Sequence, residues 1–202
     1  MISVIIPYNK DRGYLSKCLD SIRKQSYKDF EIVEAKSDCS VAVNFNFGLK
    51  MAKGTFIKFV TEDDWLPMDS LLYLFRGIGN APWAYANAYQ FDEYHNRSYI
   101  QKPMAFDLKS NIEMNQIHGG TTIYRRDVLL KIGGMDETLW TGEEYEMHLR
   151  LWTSGYIPTY INREVYYHRL WDGQKSKIYR KTNKTKRDDE IKRIQALYSD
   201  SL

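Results

Sequence analysis

Two cysteines in 202 residues, Cys18 and Cys39, are too few for a disulfide framework and have no metal-ligand spacing. A reducing interior is therefore expected. No apolar run reaches the roughly 20 residues that a membrane helix needs. The opening MISVIIPYNK is short and lacks the basic flank of a secretory leader. It reads instead as a buried strand, and a soluble, cytoplasmic protein is expected. No internal repeat or low-complexity linker divides the chain, which fits one α/β domain with a tail. The loop after the first apolar run, PYNKDRGY, holds a single glycine. It is thus a poor candidate for a glycine-rich, basic phosphate loop.

Net charge is also scarce, +3 overall, but it is uneven. Between Arg169 and Arg193 ten Lys/Arg face four Asp/Glu, so the remainder of the chain is slightly acidic. A basic stretch of this kind can meet phosphate, nucleic acid or anionic lipid. A solvated helix face is the commoner reason for one, and nucleic acid is not expected as a partner.

Hydrophobic residues make up 43% of the chain, with 16 Tyr and five Trp. Tyr and Trp pair an apolar face with a polar tip and suit both cores and sugar-binding clefts. ISVIIP, Ile2–Pro7, is a short β-rich run of the kind that forms a fully buried strand. Leu15, Cys18, Leu19 and Ile22 share one helical face. Phe30–Ala35 is a second strand. Val41, Phe45, Leu49 and Ala52 stripe a second helix that Gly54 stops. Thr55–Val60 is a third strand, and Asp69 is placed to cap a helix over Asp69–Phe75. This β-α-β-α-β order predicts a mostly parallel sheet whose ligands bind at the carboxyl ends of the strands. Further on, Trp83–Asp92 and Ser98–Pro103 read as strands joined at His95-Asn96, with Thr121–Tyr124 a short strand. Gly142-Glu143-Glu144 opens a helix. Tyr156–Ile161 and Val165–His168 read as two late strands, and Lys184–Leu197 as a charged helix or frayed tail.

Three clusters can carry chemistry. Glu62-Asp63-Asp64 follows the third strand at once, and adjacent carboxylates need a compensating cation or solvent. Mg²⁺ and Mn²⁺ often bridge such carboxylates to substrate phosphates. Glu143 and Glu144 stand at a helix start, where free backbone N–H groups stabilise a carboxylate; helix capping and general-base chemistry are both open to them. Tyr166-Tyr167-His168-Arg169, with Lys175 and Lys177 behind, offers a metal-ligating imidazole and cations that match a diphosphate.

Taken in order, SVIIPYN, EIVEAKSDCS, TFIKFVTEDDWLPMDSL, IYRRDVLLKIGGMDETL and GEEYEMHLRLWTSGY resemble glycosyltransferase family 2 from Ile2 to about Ser176. The resemblance implies an α/β fold of GT-A type, a Rossmann-like, mostly parallel central sheet flanked by helices on both faces. It implies a nucleotide-sugar half at about 1–82, an acceptor half at about 83–176, and a basic helix or tail at 177–202. It implies sugar transfer with inversion from a UDP-sugar to a hydroxyl of a glycan or glycoconjugate, aided by Mn²⁺ or Mg²⁺. Carried over by position, Pro7, Tyr8, Asn9, Arg12, Asp38, Glu62, Asp63 and Arg169 bind the donor nucleotide. Asp63, Asp64 and His168 hold the metal, and Glu144 with Glu143 before it supplies the base. On the acceptor side, Trp140 is open to stacking on a sugar or to a place in the core, and His118, at the head of His118-Gly119-Gly120, to close approach of a substrate or to a plain turn. The chain departs from the family's pattern at Ala35-Lys36, where an acidic pair is usual, and at Thr61, in place of the first acid of the metal motif. Those departures keep open a degenerate fold acting as a sugar- or partner-binding module. A nucleotidyltransferase is disfavoured by the single glycine in PYNKDRGY.

Overall fold

The computed structural model describes residues 1–103 and 107–199, apart from the side chains of residues 175, 176, 179 and 180. β1 (Ile2–Tyr8) pairs in parallel with β2 (Phe30–Lys36) on one side and with β3 (Phe56–Phe59) on the other. Helices α1 (Leu15–Arg23) and α2 (Val41–Met51) make the two crossovers. All seven residues of β1 are buried, as its unbroken apolar run requires. Ser40 caps α2 by accepting from the Val43 N–H. Asp69 precedes α3 (Ser70–Ile78) as expected, but its side chain makes no capping bond.

The second half departs from the parallel pattern. β4 (Trp83–Asp92) and β5 (Arg97–Gln101) form a hairpin turning at Asn96, whose φ is 48°. A short turn forces antiparallel pairing. β6 (Ile123–Arg125) runs antiparallel to both β3 and β4 and so ties the halves together. The two late strands are one, β7 (Thr159–Leu170), which pairs in parallel with β4 through irregularities beside Asn87. The seven-stranded sheet is therefore mixed rather than mostly parallel, because the βαβ pattern ends with β3.

Helices cover both faces, as expected. One core gathers Cys18 and Ile22 of α1 with Leu71, Leu74 and Ile78 of α3. The other gathers Phe45 and Leu49 of α2 with Leu129 of α5 (Arg126–Ile132) and Met147 of α6 (Glu143–Thr153), the numbering counting α4 (Leu108–Glu113) before them.

The basic C-terminal stretch folds as α7 (Lys175–Thr182) and α8 (Lys184–Ser199). α8 is no frayed tail. Its Ile194 is fully buried with Ile112, Leu139, Tyr145 and Leu149 in a third core, and the Tyr198 hydroxyl donates to Glu146 at 2.5 Å. Residues 200–202 of the expected tail lie outside the described residues. Among the described residues no helix is long and apolar enough to cross a membrane.

Candidate active site

The chain leaves β3 through a turn, Thr61–Asp64, that places its carboxylates at the carboxyl edge of the sheet. Asp64 points inward and is 3% exposed. Its Oδ2 accepts from Thr61 Oγ1 at 2.6 Å and from the Tyr166 hydroxyl at 2.7 Å, and its Oδ1 accepts from the Arg169 N–H at 2.8 Å. Burial and the neighbouring Asp63 charge push its pKa up to about 8. Asp63 lies at the rim, where Oδ2 accepts from Trp171 Nε1 at 2.9 Å.

Asp64, His118 and His168 each offer a ligand atom, and these atoms lie within 4.8 Å of one another. The two imidazoles sit with centroids 4.4 Å apart. His168 Nδ1 is 2.9 Å from Gln90 Oε1, and its Nε2 faces the Gln174 amide nitrogen at 2.9 Å, which leaves Nε2 as the lone-pair atom. His118 Nδ1 accepts from the Gly120 N–H at 3.0 Å. Burial depresses both histidines, His168 to about 4, so both rings are neutral, as metal binding requires. A carboxyl group beside neutral imidazoles is the type of donor set a divalent ion takes, and an ion here would have to displace the Gln174 amide from His168 Nε2 or the Gly120 N–H from His118 Nδ1. Of the expected metal residues Asp64 and His168 meet, and Asp63 stands beside them at the rim. His118, expected on the acceptor side, joins them.

The start of α6 brings the base candidate to the same place. Gly142, at φ 79°, turns the chain into the helix, and Glu144 in its first turn accepts from the Gly119 N–H at 3.2 Å. Gly119 and Gly120 belong to a 3₁₀ turn (Gly119–Thr121) packed closely against its neighbours. A Cβ on Gly119 would collide with the Glu144 carboxyl group, and one on Gly120 with the Tyr166 ring. Glu143 is buried at 8% exposure.

A second cluster lines the ends of β1 and β2. The Tyr8 hydroxyl donates to Glu34 Oε2 at 3.0 Å, and burial followed by Glu34 raises its pKa to about 12. Arg12 pairs with the buried Glu62 and reaches Asn9 Oδ1 at 3.3 Å. Pro7 is buried within β1, and Asp38 is exposed in the β2–α2 loop at the same edge. Glu34 went unremarked in the sequence because it precedes the Ala35-Lys36 pair by one position, yet it is the carboxylate that Tyr8 reaches.

Arg169 is less free for a diphosphate than its position in the sequence implies. It is 5% exposed, pairs with Glu93 at 2.8 Å, donates to the Asp63 carbonyl at 2.8 Å, and packs on Tyr14 and Trp65. Trp140 is half-buried beneath Lys186 of α8, 4.5 Å from its ring centroid. The Lys175 side chain lies outside the described residues. The sequence reading also passed over Lys58, which is fully buried on β3 and donates to the Gly120 carbonyl. A lysine inside the apolar strand TFIKFV was the available signal.

No family model matches the chain. It is 24% identical to glycosyltransferase GlyA of Streptococcus pneumoniae over 88% of this chain and 32% of GlyA. It is 22% identical to an uncharacterized glycosyltransferase of Rickettsia typhi, RT0329, over 73% of this chain and 57% of that protein. The chain thus spans about a third and somewhat over half of these relatives. Among solved structures, S. aureus TarS superposes with TM-score 0.70 at 16% identity, over 98% of this chain and 39% of TarS. TarS 1–349 in complex with UDP-GlcNAc superposes with TM-score 0.67 at 17% identity, over 86% of this chain and 59% of that one. In fold the chain is thus similar to the TarS structures, and in sequence it is similar to two proteins named as glycosyltransferases.

Proposed function

We propose that this chain transfers a sugar, with inversion, from a nucleoside diphosphate sugar to a hydroxyl of a glycan or glycoconjugate acceptor, with a divalent ion, Mn²⁺ foremost. The carrying observation is the convergence of Asp64, His118 and His168 beside Glu144 at the carboxyl end of β3. In α/β sheets this edge is where ligands bind. A UDP-sugar is the favoured donor because the fold neighbour TarS is solved with UDP-GlcNAc and with UDP.

Glu144 acts as general base. An acceptor hydroxyl is a weak nucleophile, and a carboxylate that takes its proton as it attacks lowers the barrier. The Gly119 N–H holds one oxygen of that carboxylate in place. Asp64 and His168 hold the ion, with Asp63 at the rim; when bound, such an ion offsets the charge that grows on the departing diphosphate. Tyr8, Asn9 and Arg12, backed by Glu34 and Glu62, line the edge assigned to the nucleoside.

Calorimetric titration of UDP with Mn²⁺, then with EDTA, tests the donor site. Binding that needs the metal and disappears in Asp64→Asn is expected; equal binding in EDTA would overturn the metal role. Glu144→Gln is expected to lower kcat about 10²–10⁴-fold, the usual worth of a general base, and to leave UDP binding intact.

A further inference from the structure

Lys58 stands at the centre of the sheet, opposite Val4 of β1 and Ile123 of β6, with no exposed surface. An ammonium there has lost its hydration, a cost that a Met of similar length would avoid. The fold gains no packing from the charge. Its ammonium donates to the Gly120 carbonyl and lies 5.0 Å from the centroid of the Tyr166 ring. Glu144 and Asp64 are the carboxylates near enough to stabilise it, and burial still depresses its pKa to about 7.

The same turn is wedged from its other sides. Gly119 presents its N–H to Glu144, where a Cβ would push the carboxyl group aside, and Gly120 lies so close to Tyr166 that a Cβ there would meet the ring. The turn between Lys58 and Glu144 is thus held by the lysine at its Gly120 carbonyl and donates to the carboxylate from its Gly119 N–H, two different peptide groups of the one turn. We propose that Lys58 is a positioning residue: through the Gly119–Gly120 turn it fixes the carboxylate of Glu144 for its work as base. Being sealed from solvent, it touches no substrate and acts only through that turn. The catalytic part of this inference rests on the reading of Glu144 given above.

Two readouts separate that reading from the role of the lysine. Amide hydrogen exchange over residues 117–122 follows the turn whether or not a sugar is transferred. In Lys58→Met it is expected to rise roughly tenfold, the worth of a charge-assisted hydrogen bond, while exchange in β1 holds. Kinetics with a UDP-sugar are expected to show kcat down about tenfold or more with the donor KM unchanged. Unchanged exchange over 117–122 overturns the positioning role. Raised exchange with unchanged kcat overturns its link to catalysis. A wild-type protein that transfers nothing refutes the functional reading instead, and exchange still decides the lysine. Should Lys58→Met not fold, Lys58→Gln, with an uncharged amide NH₂ on a shorter stem, is read in the same way. Failure of both to fold overturns the proposal, because the lysine is then a requirement of folding.

Discussion

Gly119→Ala is a small change with a calculable reach. The added Cβ would lie 2.6 Å from Glu144 Oε1 and closer still to the other carboxyl atoms, whereas ordinary contact begins at 3.4 Å. One side must give by about 1 Å, and the Glu144 carboxyl group, the end of a flexible side chain, gives more readily than the backbone turn. Gly119 is not among the positive-φ glycines, so alanine meets no backbone strain. The fold should therefore survive with little change in Tm. Misplacing a catalytic group by 1 Å costs on the order of 10²-fold in rate. The expected outcome is kcat down about 10²-fold, with the Kd for UDP and Mn²⁺ within twofold of wild type. Steady-state kinetics beside calorimetry measure both. A variant whose kcat stays within twofold would refute the role of Glu144 as base, or the reach of Gly119 upon it.

A contrast lies at Gly133, whose φ of 86° closes α5 with nothing within 4 Å of a Cβ. Gly133→Ala should cost about 1–2 kcal/mol by left-handed strain alone, lowering Tm by several degrees without touching kcat. His148, fully buried with its Nε2 2.7 Å from the Tyr124 hydroxyl, has its pKa depressed by burial to about 3. The unfolded chain takes up a proton near pH 6.5 and the folded chain does not, so this histidine's share of stability is complete above 6.5 and is lost as pH falls toward 3. Urea unfolding between pH 7 and 4 should show that loss, and His148→Phe should flatten the slope by one proton; an unaltered slope would sink the assignment.

Much of the first half was legible because its signals are local. ISVIIP and TFIKFV are uninterrupted apolar runs, and such runs form central strands wherever parallel neighbours bury them on both faces. The acidic turn after β3 could be placed for the same reason. What escaped depends on contacts distant in sequence. His118 read as an acceptor residue because nothing near it in the chain announces Asp64, 54 positions earlier, or His168, 50 later. β6 lies between β3 and β4, and no short motif encodes that insertion. The late strands appeared as two because Asn162, Arg163 and Glu164 break the apolar alternation, while Asn87 meets Asn162 and Glu164 side by side through its amide.

The last helix changes what counts as a separable unit. Ile191 and Ile194 press on Gly142, the entry to the helix that carries Glu144, and the hydroxyl of Tyr198 meets the Glu146 carboxylate that also holds Arg150. A chain cut at 176, where the family resemblance fades, would expose Ile112, Leu139, Tyr145 and Leu149 as one oily patch. Such a patch on a free surface invites self-association. For anyone expressing or fusing this domain, a cut placed after Tyr198 rather than at 176 keeps that patch covered.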